Sequence, residues 1–225
     1  MKSKIPQKSA RALHERLKTA KSRTTSSQAW LERQINDPYV RAAKAEGYRS
    51  RAAYKLAEMD DKYRFLKRGQ SAVDLGAAPG GWTQILVARL GEGNVVGVDI
   101  QEMEPVKGAT LMLLDFLNPR VPDLIKAELK GPVATVLSDM ASPATGHRET
   151  DHLRVMSLCE TALEFAIEVL KPGGTFVCKV LRGGTERQLL ETLKRRFTKV
   201  VHVKPPASRA DSAEMYVLAM GFRSA

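Results

Sequence analysis

This sequence of 225 residues predicts an α/β fold: a mostly parallel seven-stranded sheet, helices on both faces and an antiparallel last strand. Three observations carry that expectation. From residue 72 onward, short β-branched apolar runs alternate with stretches of helical period, the pattern of crossovers around a parallel sheet. Lys171-Pro172-Gly173-Gly174 closes the longest helical stretch, as Gly and Pro commonly do past a helix end, and a strand follows at once. Between the last two strands lie only residues 205–214, including Pro205, Pro206 and Ser208. That is too short for a packed crossover helix, so the final strand is expected to reverse direction.

In chain order, the predicted strands are 72–75, 94–100, 110–115, 133–139, 175–180, 199–204 and 215–220. Helical stretches at 82–90, 121–129, 151–170 and 185–197 separate them. Ahead of the sheet, Trp30, Leu31, Ile35, Tyr39 and Val40 suggest a short helix, broken near Asp37-Pro38. Ser50 has the chemistry of an N-cap before a helix over 51–61, where Ala53, Leu56 and Ala57 form one apolar stripe. Residues 1–28 are rich in Lys, Arg, Ser and Thr and carry too little apolar surface to bury, which reads as a basic mobile arm. An Arg/Ser-rich, acid-poor leader also fits a mitochondrial transit peptide. The expected organisation is the arm, 1–28, then one domain, 29–225, built from a helical preamble (29–70) and a sheet (71–225).

Composition excludes several classes of protein. A hydrophobic fraction of 43% rules out wholesale disorder. No run approaches the ~18 apolar residues of a membrane span, and the basic amino terminus lacks the apolar segment of a secretory signal. Cys159 and Cys178 are spaced neither as a metal knuckle nor as a disulfide framework, which points to a reducing, cytoplasmic setting. The four histidines show no ligand spacing beside them, so no metal is expected. The net charge of +11 is confined: residues 1–70 hold 18 Lys and Arg against 7 Asp and Glu, and the rest of the chain is balanced. A confined excess suggests a surface for a polyanion, with Arg49 and Arg51 extending it from the arm toward Lys55.

The sharpest local signal is Val73-Asp74-Leu75-Gly76-Ala77-Ala78-Pro79-Gly80-Gly81-Trp82, a strand that runs through a glycine-rich turn into a helix. Such a turn lets a ligand approach the backbone at the carboxyl end of a central strand. The spacing is not the G-x-G-x-x-G of a dinucleotide site, Pro79 removes a donor, and Asp74 is ill suited beside a pyrophosphate. A ligand with a cationic or zwitterionic head fits better, such as the amino-acid end of S-adenosylmethionine. Asp99 ends the next strand, where an acid accepts from ribose hydroxyls, and Asp115 ends the third, where it can take an adenine amino group.

With these residues in view, the chain resembles the FtsJ/RrmJ family of S-adenosylmethionine-dependent 2′-O-ribose methyltransferases. The matching stretches are Ser50-Arg51-Ala52-Ala53-Tyr54-Lys55-Leu56, the loop from Asp74 to Trp82, Ser138-Asp139-Met140-Ala141, Phe176-Val177-Cys178-Lys179 and the run from Lys204 to Glu214. They span residues 30–221 in the right order, with one departure: Ser142-Pro143 stands where the family usually has Pro-Asn. The resemblance implies a Rossmann-like class I methyltransferase fold and a catalytic tetrad falling on Lys55, Asp139, Lys179 (the proton acceptor) and Glu214. It implies S-adenosylmethionine held by Gly80, Trp82, Asp99, Asp115 and Asp139. It further implies a uridine of 23S rRNA in the large ribosomal subunit as substrate, with a preamble that binds RNA and a monomer as the acting unit.

The residues read by themselves agree in part. Asp139 and Lys179 end adjacent predicted strands and Glu214 begins the antiparallel one, so all three belong at the same edge of the sheet as the glycine loop. Lys55 could fold across that edge. Lys55 and desolvation would lower the pKa of Lys179 while Asp139 and Glu214 would raise it, and the sequence leaves the net sign open. Two other functions compete. A nicotinamide-dependent dehydrogenase shares the topology but not the loop spacing. A non-catalytic RNA-binding module would account for the basic arm but not for all four tetrad residues.

Overall fold

The computed structural model describes residues 25–143, 145–182 and 187–224. Three helices come first: α1 (Thr25–Ile35), α2 (Pro38–Glu46) and α3 (Ala52–Tyr63). The sheet region then runs β1 (Ala72–Leu75), α4 (Gly81–Leu90), β2 (Val95–Asp99), β3 (Ala109–Leu113), α5 (Val121–Glu128), β4 (Val133–Ser138), α6 (Arg148–Val169), β5 (Leu170–Leu181), α7 (Arg187–Arg196), β6 (Phe197–Val203) and β7 (Glu214–Phe222). The strands form one seven-stranded sheet in the order β3-β2-β1-β4-β5-β7-β6. Neighbours among β1–β5 pair in parallel, and β7 is antiparallel to both β5 and β6. The predicted reversal of the last strand is present, and β7 inserts between β5 and β6.

Strand periodicity sorts the core into two layers. On one face, Ala72, Val95, Leu137, Val177, Tyr216 and Leu218 pack with Leu56 and Met59 of α3 and with Trp82, Ile85 and Leu86 of α4. On the other, Val73, Val96, Val136, Phe176, Cys178 and Val217 meet Ile125 of α5, Phe165 of α6 and Leu193 of α7. The central strands β1 and β4 are buried throughout, so their polar residues Asp74, Thr135 and Ser138 are buried along with the apolar ones.

Several expectations are corrected. The Asp37-Pro38 break is a cap: the Asp37 carboxylate accepts the Tyr39 N–H at 3.0 Å and Pro38 opens α2, where its missing N–H costs nothing. Ser50 does not cap α3; that helix starts from Arg51 without a side-chain cap, and the buried Ser50 hydroxyl has no hydrogen-bond partner. Residues 25–28 belong to α1, so the arm's predicted boundary at 28 falls inside a helix, and its first 24 residues lie outside the described residues. Lys171-Pro172-Gly173-Gly174 lies inside β5, absorbed where the pairing with β4 shifts register between Val133 and Thr135. Strand β3 ends at Leu113, two residues short of Asp115.

Candidate active site

The period of two that builds the core also builds the site. Asp74, Asp99, Asp139, Lys179 and Tyr216 share a face with Ala72, Val95, Leu137, Val177 and Leu218, at the carboxyl ends of the parallel strands. Cross-strand register sets Lys179 opposite Tyr216 and Leu181 opposite Glu214. Lys55 reaches the same place from α3, whose first turns pack on that face, and it is only 8% exposed.

These side chains close a ring. Lys55 Nζ donates to Glu214 Oε2 at 3.0 Å and to the Tyr216 hydroxyl at 3.2 Å. Tyr216 donates to Asp139 Oδ1 at 2.8 Å. Lys179 Nζ lies 2.9 Å from that same Oδ1 and 3.7 Å from Glu214 Oε1, and donates to the Asp139 carbonyl at 2.8 Å. Two cations, two anions and one neutral hydroxyl therefore alternate around a nearly dry cluster, the condition under which buried charge is tolerated. The sign left open above is now fixed. Burial pulls Lys179 toward neutrality, but the carboxylates of Asp139 and Glu214 outweigh it and hold the ammonium above the ordinary lysine range. For Glu214, burial raises the pKa, yet Lys55 and Lys179 carry it below the ordinary value. Burial, then the charges of Asp139 and Glu214, push the Tyr216 phenol well up, so it stays a neutral donor.

Tyr216 is the member that sequence reasoning missed. The available signal was its spacing: two positions after Glu214 on one strand, a tyrosine shares the acid's face.

Next to the ring, a cavity of about 590 Å³ opens over the ends of β1, β2 and β3, lined by Gly76, Ala78, Asp99, Asp115, Phe116 and Asp139 among others. Its size falls within the roughly 300–1,000 Å³ of small-molecule sites. Asp99 is oriented by two backbone donors, Ala78 N–H on Oδ2 and Gln101 N–H on Oδ1, both at 2.8 Å. Asp115 accepts the Leu117 N–H at 3.0 Å and is otherwise open to the cavity. Gly76 has φ +78° and a Cβ there would stand 2.8 Å from the Met140 backbone nitrogen, so only glycine lets the loop after β1 approach the loop after β4. Beneath lies Asp74, wholly buried; its Oδ2 accepts from Thr83 at 2.7 Å and its Oδ1 has no partner. Burial, reinforced by the charges of Asp139 and Asp99 and opposed by Thr83, moves its carboxyl up to about 7.

The structure thus brings Lys55, Asp139, Lys179 and Glu214 together and sets Asp99, Asp115 and Asp139 around one cavity. Gly80 and Trp82 do not line it. The Trp82 indole is buried, donates to the Ala52 carbonyl at 2.8 Å and leans on Tyr216 with ring centroids 5.5 Å apart. Gly80, at φ +107°, caps α4, and a Cβ there would meet the Arg49 guanidinium at 3.0 Å. Arg49 and Arg51 are not free phosphate ligands either. Arg49 donates to the carbonyls of Pro79, Glu104 and Pro105, stapling the preamble to the glycine loop. Arg51 pairs with Asp37 and donates to the Ala207 carbonyl.

Comparison with known proteins follows the same lines. The family described as FtsJ-like methyltransferase matches this chain over residues 48–222. A protein of Parvibaculum lavamentivorans named ribosomal RNA large subunit methyltransferase E is 62% identical over 225 residues, covering 95% of this chain and 89% of that one. A protein of the same name from Novosphingobium aromaticivorans is 54% identical, covering 93% and 95%. Among solved structures, one titled as a ribosomal RNA methyltransferase from Plasmodium falciparum superposes with a TM-score of 0.68 at 31% identity, over 78% of this chain and 98% of that one.

Proposed function

The chain belongs to the FtsJ-like methyltransferase family, and from that premise we propose that it methylates a ribose 2′-hydroxyl in 23S rRNA of the large ribosomal subunit, at a uridine, with S-adenosylmethionine as donor. The single observation that carries this reading is the closed ring of Lys55, Glu214, Lys179, Asp139 and Tyr216 set against an acid-lined cavity. The relatives' shared name supports the ribosomal substrate. The excess positive charge of residues 1–70 supports a polyanionic partner, with the basic residues of 1–28 adding phosphate contacts; in this reading the protein acts as a monomer in the cytoplasm.

The donor set of the cavity fits S-adenosylmethionine. Asp99 and Asp115 offer acceptors to hydroxyl and amino groups, and Asp139 faces both cavity and ring. Three acids against Arg154, with no lysine among the described lining residues, suit a ligand bearing positive charge better than a pyrophosphate. Held there, S-adenosylmethionine would supply an electrophilic sulfonium methyl group for transfer to the ribose oxygen, with the hydroxyl proton passing to Lys179. Trp82 and Gly80 act from beneath, holding the loop and α3 in register rather than presenting side chains to the cavity.

Lys179 is the proton acceptor in this reading, and the ring sets its terms. In the free protein the Lys179 ammonium is held charged by Asp139 and Glu214, so it must release a proton before it can accept one. Positive charge entering beside Asp139 weakens the pull that keeps Lys179 protonated. Lys55 restrains Glu214 and Tyr216, and Tyr216 restrains Asp139, so Lys179 Nζ is aimed from three sides.

Mapping 2′-O-methylation across ribosomal RNA in cells with and without this protein tests the substrate; loss of one modified uridine is the expected result. Turnover at saturating cofactor should climb with pH, since it needs Lys179 without its proton. A flat profile would remove Lys179 as acceptor.

A further inference from the structure

Beyond the ring and the cofactor cavity, two clefts flank the carboxyl edge of the sheet. One, on the α3 side, is lined by Arg33, Arg51, Lys55, Arg209 and Glu214 among others. The second, about 630 Å³, lies on the α6 side and is lined by Arg148, His152, Leu153, Leu181, Arg182 and Ala213 with Glu149 and Asp151. Ala213 and Glu214 are consecutive, so the clefts meet at the ring: Glu214 borders one and Ala213 the other. An RNA strand with its ribose at Lys179 has to leave that point in two directions. The α3 side offers it one exit, and the α6 cleft is the way out on the other face of the sheet.

We propose that the α6 cleft binds a nucleotide flanking the methylated ribose, with Arg148 and Arg182 on its phosphates and His152, Leu153 and Leu181 against its base; this rests on the RNA reading above. Arg148 and Arg182 are exposed, and no ion pair among the described residues holds either guanidinium. Leu153 is 59% exposed on the first turns of α6, most of whose other apolar residues are buried, so it offers apolar surface to the cleft beside two cations. Bases find such surfaces useful because every base has an apolar face, whereas the phosphate supplies the charge. Of the two acids present, Asp151 is already committed: its Oδ1 accepts both the Thr145 N–H and the Thr145 hydroxyl at 2.7 Å. Asp151 keeps its charge in that arrangement, so Glu149 and Asp151 both face the two arginines, but neither acid forms an ion pair with Arg148 or Arg182 among the described residues. The Arg182 backbone N–H is fixed on the Ala213 carbonyl at 2.6 Å, so that end of the cleft is tied to the residue preceding the ring.

The test measures equilibrium binding of a short single-stranded oligoribonucleotide at several salt concentrations, for the full chain and for its Arg148→Ala/Arg182→Ala variant. Each lost phosphate contact should make the log-affinity slope on log salt shallower by about 0.7, and the RNA KM of methyl transfer should rise several-fold with kcat and S-adenosylmethionine affinity retained. Identical slopes for the two proteins would overturn the proposal even if both methylate ribosomal RNA normally. A shallower slope in the variant, with no methyl transfer by the wild-type protein, would instead sink the methyltransferase substrate reading and leave the RNA contact standing.

Discussion

Along one face of one sheet, the carboxylates fall into two groups that solve the problem of buried charge in opposite ways. On the β4–β5–β7 side, Asp139 and Glu214 are neutralised by Lys179 and Lys55, and Tyr216 bridges Lys55 to Asp139, so the cluster is complete in the free protein. On the β1–β2 side, Asp74 and Asp99 have backbone and hydroxyl donors but no cation paired with them among the described residues. The pKa directions follow: Glu214 is drawn below its ordinary range by the lysines, whereas Asp74 is driven up to about 7 by burial and by the other acids. The ring is charge-balanced by its own lysines, whereas the acids on the cavity side have no such partner. Balanced and unbalanced charge thus sit on neighbouring strands.

The largest effect should come from breaking the ring. Lys179→Ala leaves two carboxylates short of a cation in a site only 7% exposed, which should cost about 3–5 kcal/mol of stability in urea unfolding. Turnover should fall by at least ~10² with cofactor affinity nearly intact. Lys179→Arg separates the two roles, because guanidinium keeps the charge but cannot give up its proton. It should retain most of the stability and lose the turnover, and an active Lys179→Arg variant would remove the proton-acceptor assignment.

On the unbalanced side the next effect is on stability against pH. Asp74 titrates at about 7 in the folded protein and near its ordinary 3.8 when unfolded. Between those values the folded state holds the extra proton, so stability falls as pH rises through the window and the loss is complete above it. About three units at about 1.4 kcal/mol each makes this on the order of 4 kcal/mol. Asp74→Asn should flatten the wild-type profile between about pH 4 and about pH 7, and parallel profiles for the two proteins would contradict the assignment. A smaller effect is expected of Asp99→Ala, which removes an oriented acceptor from the cavity. Cofactor binding should weaken by about 1–3 kcal/mol by calorimetry, with turnover at saturating cofactor retained. The contrast with Lys179→Ala is the point: one variant loses affinity and the other loses chemistry.

How much of this was legible in the sequence depended on the range of the interaction. Strand period placed Asp139, Lys179 and Glu214 at one edge correctly, because alternation and parallel connection are local or nearly so. The three acids at or near strand ends likewise marked the cavity. The insertion of β7 between β5 and β6 was not legible, since strand order is settled by contacts between distant elements. The same holds for Arg49, which has the look of a phosphate ligand in the sequence but is held by carbonyls 30 to 56 residues away. Ser50 failed as a cap because the hydroxyl is packed under Gly81, a contact no local pattern records: a Cβ on that glycine would stand 2.4 Å from it. Tyr216 was hidden by its own hydrophobicity, sitting in an apolar strand where an aromatic residue needs no explanation.

That residue gives the subtlest way to sharpen the comparison. Tyr216 is the one neutral member of the ring, fully buried against Trp82, and its hydroxyl both accepts from Lys55 and donates to Asp139. Tyr216→Phe keeps the ring's shape and its charge balance, and removes two hydrogen bonds without creating a cavity. Lys55 retains Glu214 at 3.0 Å and Asp139 retains Lys179 at 2.9 Å, so neither charge is orphaned. Both lost bonds are to charged partners, so the net cost should be about 1.5–3 kcal/mol, still below the cost of removing a charge. If Tyr216 positions Asp139, its loss should lower kcat several-fold while leaving KM for RNA and cofactor affinity in place. If the ring is held by its ion pairs alone, kcat should be unchanged while unfolding still reports the lost bonds. Measuring both on one preparation decides whether the neutral link aims the ring or only fills it.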